Sequence, residues 1–572
     1  MVKDRGDPLC SRQCAVSETE EQKIIKSLED SLGVPNLIAK ILLSRGIVSP
    51  DDGRTFLYPK LEDLSDPFLL PDIERGVDRT VEAIIRKEKI CLYGDYDADG
   101  IASTALMMNF FKHLGATPET YIPGRKEGYG LNLEAIKMLK EKGIRLLICL
   151  DCGSTNVEEI KMAKDLNIDI VVIDHHELSV PLPDANALIN PKRVDANFPT
   201  RELAACGVTF FFLLALRRIM TTRGLLKGEI NLKKELDIVT IGTMGDMVPL
   251  TKDNRIIVKF GMETMGKRPR AWLKTFFKDN TIANGRVDEY ALNFIIIPRI
   301  NATGRVSDPE KSLNFLICED EKASKNILLE LHEANRKRQK IEEEILKEIV
   351  EIVDRDNLTH GNSIVLFKED WHSGVTGIVA QKLVEMFGKP SIIISEVDGL
   401  WKGSGRGGDG MDLYETIKLL SPLLLKFGGH KYACGILLSK ENLVPFRHAF
   451  EDSVGGLLKK GKRETQVDAV ADFEELTKEF VEFIKQLAPF GIGNPRPNLL
   501  FTPSSISVNN RFVKIIDRNK RTWYGSLQGQ PSAHEYLNMG IIASPVIREE
   551  RGEKFIHLNI KEIIPLTAVN GE

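Results

Sequence analysis

Three short apolar runs in the first third of the chain end in acid. Residues 89–93 lead through Gly94 to Asp95, Asp97 and Asp99; residues 145–150 end at Asp151; residues 169–173 end at Asp174, with His175 and His176 directly after. Runs this short, apolar and closed by turn signals read as buried strands. Helical patterns over 132–142 and 157–166 separate several of them, and 119–122, 187–189 and 237–243 are further candidate strands. Such alternation predicts an α/β domain with a parallel, doubly wound sheet. In a sheet of that kind the groups just beyond the carboxyl ends of the strands face one crevice. Acids remote in sequence would therefore meet in space, and Asp246, after the run 237–243, is a candidate to join them.

The segment Asp95-Tyr96-Asp97-Ala98-Asp99-Gly100 also imitates the first half of an EF-hand calcium loop. Such a loop needs a bidentate glutamate at its twelfth position and a helix leading in. Counted from Asp95 that position is Leu106, and what leads in is a strand pattern. The calcium reading falls. A single aspartate after a strand commonly does no more than cap the next helix. Several in one cleft repel one another unless a cation neutralises them, and two divalent ions sharing a bridging aspartate would do so. Oxygen ligands with one or two imidazoles suit Mn2+ or Mg2+ better than thiolate-seeking metals. Gly100 is expected to let the chain turn tightly into the following helix.

A chain of 572 residues exceeds what one core fills, so several domains are expected. The reading is a helical lead-in over 1–75, a catalytic domain over 76–318 and a connecting helix over 319–356. A smaller α/β lobe follows over 357–458, then a β-barrel-like region over 459–572. The connecting segment is proline-free and highly charged, with Ile341, Ile345 and Ile349 as one apolar stripe; residues 459–463 read as a basic surface turn. Net charge is −4, which does not advertise a polyanion partner, although a local groove rather than the total sets the field. No near-continuous apolar run reaches the roughly 18–20 residues of a bilayer span, and residues 1–17 lack a secretory apolar segment. Cytoplasm, without a membrane, is the expectation. Eight scattered cysteines read as reduced thiols, with Cys10 and Cys14 a weak, solitary zinc signal.

The motifs carry a resemblance. Asp95–Gly100, Asp151-Cys152-Gly153 and Asp174-His175-His176 resemble those of the DHH phosphoesterase superfamily. The runs 298–305 (PRINATGR), 371–380 (WHSGVTGIVA), 403–406 (GSGR), 427–430 (FGGH) and 489–494 (PFGIGN) narrow it to the RecJ single-strand exonucleases. That resemblance implies a DHH domain and a DHH-associated domain joined by a long helix, then an OB-fold. It implies removal of 5′-mononucleotides from single-stranded DNA with two divalent cations, Mn2+ or Mg2+, in DNA recombination and repair. Asp97, Asp99, Asp151, His175 and Asp246 are then the core metal ligands, with Asp151 the bridge and Asp95 a ligand or its neighbour. Asp174 would orient its neighbours and His176 touch the scissile phosphate. Arg125, Arg299, Asn301, Arg305 and the loop Ser404-Gly405-Arg406 would receive phosphates, His372 and His430 the DNA backbone, and Tyr129 a base. The segment 123–130 is one residue shorter than the family pattern around Arg125 and Tyr129. In the C-terminal region Arg511, Lys514, Arg518, Lys520 and Arg521 stand near Trp523 and Tyr524, a mixture suited to single strands. Expected partners are single-stranded DNA, a single-strand-binding protein and a RecQ-type helicase, with the chain a monomer. The alternatives are a DHH nano-RNase or cyclic-dinucleotide phosphodiesterase, an inorganic pyrophosphatase of the same superfamily, and a non-catalytic replication scaffold.

Overall fold

The computed structural model describes residues 18–125, 127–226, 228–282, 285–408, 410–457, 466–527, 534–536, 538–550 and 552–565. Cys10, Cys14 and the basic segment 459–463 lie outside the described residues. Five parallel strands form the first sheet: β1 (Ile90–Gly94), β2 (Glu119–Tyr121), β3 (Leu146–Leu150), β4 (Asp169–Ile173) and β5 (Ala187–Ile189). Their order, β2-β1-β3-β4-β5, reverses direction beside β1. β1 and β3 are buried throughout, as parallel strands covered by helices on both faces must be. Each buried Leu, Ile or Val contributes about 1.5–3 kcal/mol. The expected doubly wound sheet is present.

One expected strand is a helix. The run 237–243 lies inside the helix Leu236–Gly245, whose first nine residues are buried. A helix that is apolar all round belongs in a core, and tertiary packing here overrides the β-branched composition. Ala205–Thr222 also departs from expectation, being long and apolar enough on average to cross a bilayer. It is 67% buried inside the protein and packs in the main core, so it serves as a core helix.

The helix Glu321–Arg355 runs 35 residues, about 52 Å at the α-helical rise. It buries Ile345, Ile349 and Val353 against the second lobe, with Ile341 half-buried beside them. That lobe is a mixed sheet of order β6-β7-β8-β10-β9, built from β6 (Ile364–Lys368), β7 (Ser391–Val397), β8 (Leu400–Arg406), β9 (Lys426–His430) and β10 (Ala433–Leu438). The expected loop Ser404-Gly405-Arg406 is therefore strand. It pairs with β7 and β10, and the alternating exposure puts Ser404 and Arg406 on one face.

The C-terminal region is an eight-stranded sheet whose longest members are Met539–Glu550 and Glu553–Pro565. Its core is continuous with the N-terminal helices Glu18–Leu32, Asn36–Ser44 and Pro50–Leu57: Leu28, Ile38, Leu42 and Leu57 pack in one cluster with Phe473, Phe501 and Ile560. The turn Gly491–Asn494 fastens this module to the first lobe. Leu250 N–H donates to the Ile492 carbonyl at 2.7 Å, four residues after Asp246. Arg255 donates to the Gln486 and Leu487 carbonyls.

Candidate metal centre

The strand ends deliver their acids as the topology requires. Asp95 follows β1, Asp151 follows β3 and Asp174 follows β4, all buried. Asp97 N-caps the helix Ala98–His113, its Oδ1 accepting from the Asp99 and Gly100 amides. Gly100 sits within that helix, not in a left-handed turn. Its requirement is close approach, since a Cβ there would lie 2.5 Å from the Asp95 amide nitrogen and carbonyl oxygen. Asp99 points the other way along the helix, and its two oxygens accept the Ala205 and Cys206 amides at 2.7 and 2.9 Å. Those amides open a helix, where the dipole favours an anion. Asp246 closes the helix Leu236–Gly245.

Three ligand groupings result, each with atoms within 4.8 Å of one another: Asp95, Asp97 and Asp151; Asp99, His175 and Asp246; and Asp151 with Asp174, His175 and His176. His175 Nε2 lies 3.4 Å from Asp151 Oδ1, and its Nδ1 lies 3.5 Å from Asp246 Oδ2. Asp151 and His175 thus stand where the groupings meet. Asp151 adopts a left-handed backbone (φ 65°), a conformation in which aspartate is among the better-tolerated non-glycine residues.

Asp95 Oδ1, Asp151 Oδ1 and His175 Nε2 are buried with no hydrogen-bond partner. Buried polar atoms are ordinarily satisfied, so three orphans converging here fit a hard cation. Their protons say the same. Burial, then the neighbouring carboxylates, push Asp95 and Asp151 well above the usual carboxylate range. Burial and then Asp246 raise Asp99 to about 6, while burial and then Asp97 raise Asp246 to about 7. Burial and the charge on His176 lower His175 to about 4, leaving a neutral imidazole able to ligate.

Asp174 is built differently. It accepts the Ser154, His175 and His176 amides and the His176 ring at 2.8 Å. Although burial opposes its charge, His176 holds it well below the usual range. His176, raised to about 9 against its own burial by Asp174, is the imidazolium of the pair. The Tyr129 hydroxyl lies 2.9 Å from His176 Nδ1 and donates to the Asp151 carbonyl. The His430 ring, on β9 of the second lobe, stacks over His176 at 6.0 Å.

The expected phosphate residues divide. Arg305 is half-buried and lowered to about 9 by desolvation and by its like-charged neighbours Arg125 and Arg406. Arg125 lies 5.2 Å over the Tyr96 ring, and Ser404 Oγ accepts from Thr376. A Cβ on Gly304 would stand 2.3 Å from the Tyr96 carbonyl, so the helix Ile297–Val306 packs directly on the aspartate loop. Asn301 Oδ1 accepts the Ala98 amide from that helix. Arg299 is not brought to the carboxylates; it donates to His332 on the connecting helix and to the Ile295 carbonyl. His372 Nδ1 accepts the Gly374 amide, and the Gly374 carbonyl accepts from Arg305, so His372 shapes the loop that holds Arg305. In the C-terminal sheet Trp523 and Arg521 both donate to Asp517, whereas Tyr524 and Phe512 remain exposed beside Lys514. Sequence reading missed Asn190, which donates to Ser154 and to the His176 carbonyl. It also missed Lys192, paired with Glu177 and Glu202. Asn190 directly follows β5, and its place at a strand end was the available signal.

The chain matches the DHH family, N-terminal domain, over 89–243, the DHHA1 domain over 360–456 and the RecJ OB domain over 467–562. Its fold is similar to that of RecJ in complex with Mn2+ from Thermus thermophilus, with a TM-score of 0.80 at 24% identity over 95% of this chain and 78% of that one. A second solved structure, exonuclease RecJ bound to manganese, gives 0.58 at 28% identity over 68% of this chain and 97% of that one. Acid-ended parallel strands, a DHHA1 lobe and orphaned ligand atoms define a DHH-family phosphoesterase fold. Among curated relatives, the single-stranded-DNA-specific exonuclease RecJ of Haemophilus influenzae is 32% identical over 83% of this chain and 85% of its own length. That of Bacillus subtilis is 35% identical over 87% of this chain, which spans 64% of that longer protein. The chain belongs to the RecJ family.

Proposed function

We propose that the chain is a 5′-to-3′ exonuclease specific for single-stranded DNA, releasing 5′-mononucleotides with two divalent cations, Mn2+ or Mg2+. The observation that carries this is the set of unpartnered ligand atoms on Asp95, Asp151 and His175 facing the trio Arg125, Arg305 and Arg406. Asp95, Asp97 and Asp151 would hold one cation and Asp99, His175 and Asp246 the other; Asp151, 3.4 Å from His175, would be the ligand they share. When bound, such ions supply Lewis-acid activation of water and neutralise charge on the phosphodiester. The chain's own residues do the rest. Asp174 keeps His176 protonated, so its ring can donate to a phosphoryl oxygen as negative charge develops. Tyr129 fixes the orientation of that ring. Arg305, Arg125 and Arg406, with Ser404, form a forked cationic pocket suited to a terminal 5′-phosphate. His430 closes over His176 from the second lobe, which supports a reading in which an unpaired strand passes between the lobes and a duplex does not.

In the cell this reading makes the chain a cytoplasmic monomer in recombination and repair. It would act on strands opened by a RecQ-type helicase in the presence of single-strand-binding protein. The test is digestion of 5′-labelled and 3′-labelled single strands, as DNA and as RNA, with and without Mn2+, beside an Asp151→Ala chain. Early release of the 5′ label, abolished in the variant, is expected. Equal rates for variant and wild type would sink the assignment, and cleavage confined to dinucleotides would favour the nano-RNase alternative.

A further inference from the structure

Tyr290 and Phe294 are two large rings for which neither the core nor the carboxylate site has a use. They are 64% and 66% exposed and stacked on each other, with centroids 5.0 Å apart and planes at 29°. Single exposed apolar residues need no explanation, but a stacked pair in water presents a flat face of the size of a nucleobase. Tyr290 is the N-cap of the π-helical stretch Ala291–Ile296 and Phe294 lies within it, and the stretch continues into the helix Ile297–Val306. Turns of that kind recur at functional sites.

Phe294 precedes Asn301 by seven residues and Arg305 by eleven on one continuous helical segment, π-helical at Phe294 and α-helical at the other two. Asn301 holds the Ala98 amide and Arg305 belongs to the arginine trio. The aromatic pair therefore lies on the order of 10 Å along the helix axis from Asn301, which touches the aspartate loop, a separation of roughly three stacked bases. On its far side Glu289 accepts the Phe490 amide at 2.9 Å and pairs with Arg496 at 3.5 Å. Arg496 in turn lines a cavity of ≈ 240 Å³ on the C-terminal module, together with Asn498, Asn559 and Lys561. The aspartate loop, the paired rings and this cationic, amide-lined hollow are thus joined in series through one helix and its Glu289 contacts, a seam from the first lobe to the C-terminal module.

We propose that Tyr290 and Phe294 are a base-stacking platform for the third or fourth nucleotide of the substrate strand, and that Arg496 and Lys561 take its phosphates farther on. This rests on the reading of the chain as a single-strand nuclease. The occupant is nucleic acid because the seam alternates flat rings with cations and begins where a phosphodiester would be cut, a pattern that fits unpaired bases on a charged backbone.

The experiment uses the full chain and single strands carrying 2-aminopurine at successive positions, held uncleaved by Ca2+ in place of Mn2+. Quenching is expected to be strongest at the third or fourth nucleotide and to vanish in a Tyr290→Ala/Phe294→Ala chain. In Mn2+ that chain should show KM raised about ten- to a hundredfold on long strands, with cleavage of a dinucleotide unchanged, and Phe294→Trp should restore the long-strand KM. An unaltered quench and KM in the double variant would overturn the platform while leaving the nuclease reading intact. So would an equal loss on the dinucleotide, since the pair would then not act on the distal nucleotides. A wild-type chain that leaves single strands uncut with Mn2+ takes down both.

Discussion

The two walls of the cleft are electrostatic opposites built on the same principle. One wall gathers Asp95, Asp99, Asp151 and Asp246, whose protons are held too tightly because carboxylates crowd one another in a buried place. The other gathers Arg125, Arg305, Arg406 and Lys402, and there Arg305, Arg406 and Lys402 hold their protons too loosely through burial and like neighbours. Neither wall neutralises itself, and both are short of a partner of opposite sign. Asp174, beside them, shows what a finished ion pair looks like in this fold: three amides and an imidazolium satisfy it completely. The contrast teaches that crowded charge without a counter-ion marks where ligands bind, while the fully paired Asp174 serves to hold His176.

The comparison breaks first at Asp151. Asp151→Asn keeps the shape and removes the shared charge; Mn2+-dependent cleavage should fall by about 10³-fold, and the rise in Tm on adding Mn2+ should shrink with it. A full Mn2+ response in that variant would mean the acid wall is scaffolding. On the opposite wall, Arg305→Met should cost roughly ten- to a hundredfold on strands with a 5′-phosphate and much less on 5′-hydroxyl strands. A uniform loss on both would place the terminal phosphate elsewhere. Acidity sharpens the contrast. Asp246 is raised to about 7 and His176 to about 9, so the folded, metal-free chain binds these protons more tightly than the unfolded chain does. Their stabilisation is complete at lower pH and drains away as pH rises through those values. His175, lowered to about 4, is neutral in both states above its unfolded pKa of about 6.5 and does not offset them. Metal-free Tm should therefore fall between pH 6.5 and 8, and Mn2+ should raise Tm more at pH 8 than at pH 6.5; a flat profile would refute the crowding. The smallest effect is expected at Tyr524→Ala, a few-fold in KM on long strands with kcat unchanged.

The acid wall was legible in the sequence because each of its strands is a short apolar run stopping at an aspartate, and parallel topology sends all such ends to one edge. The helix at Leu236–Gly245 was not, since Ile, Val and Thr in a row look the same in a buried helix as in a strand. Asp246 could still be singled out, because either element ends beside it. The roles of Arg299 and Arg305 could not be separated by reading: the proline and glycine of their motif hide the helix Ile297–Val306, on which six positions turn Arg299 to His332 and Arg305 to the Gly374 carbonyl. Trp523 was attractive as an aromatic among cations, yet its indole is committed to Asp517, a contact that only folding reveals.

The shared core of the two chain ends has a consequence for how the molecule is made. Ser44 and Asp468 touch across 424 positions of sequence, and the first three helices share one apolar cluster with the last module. At about 5–20 residues per second of synthesis, those helices wait roughly 20–80 s for the strands that complete them. The catalytic lobe between them has its strands and helices to hand long before. Newborn chains should thus pass through a state in which the first lobe is formed while the apolar faces of these helices still await the C-terminal strands.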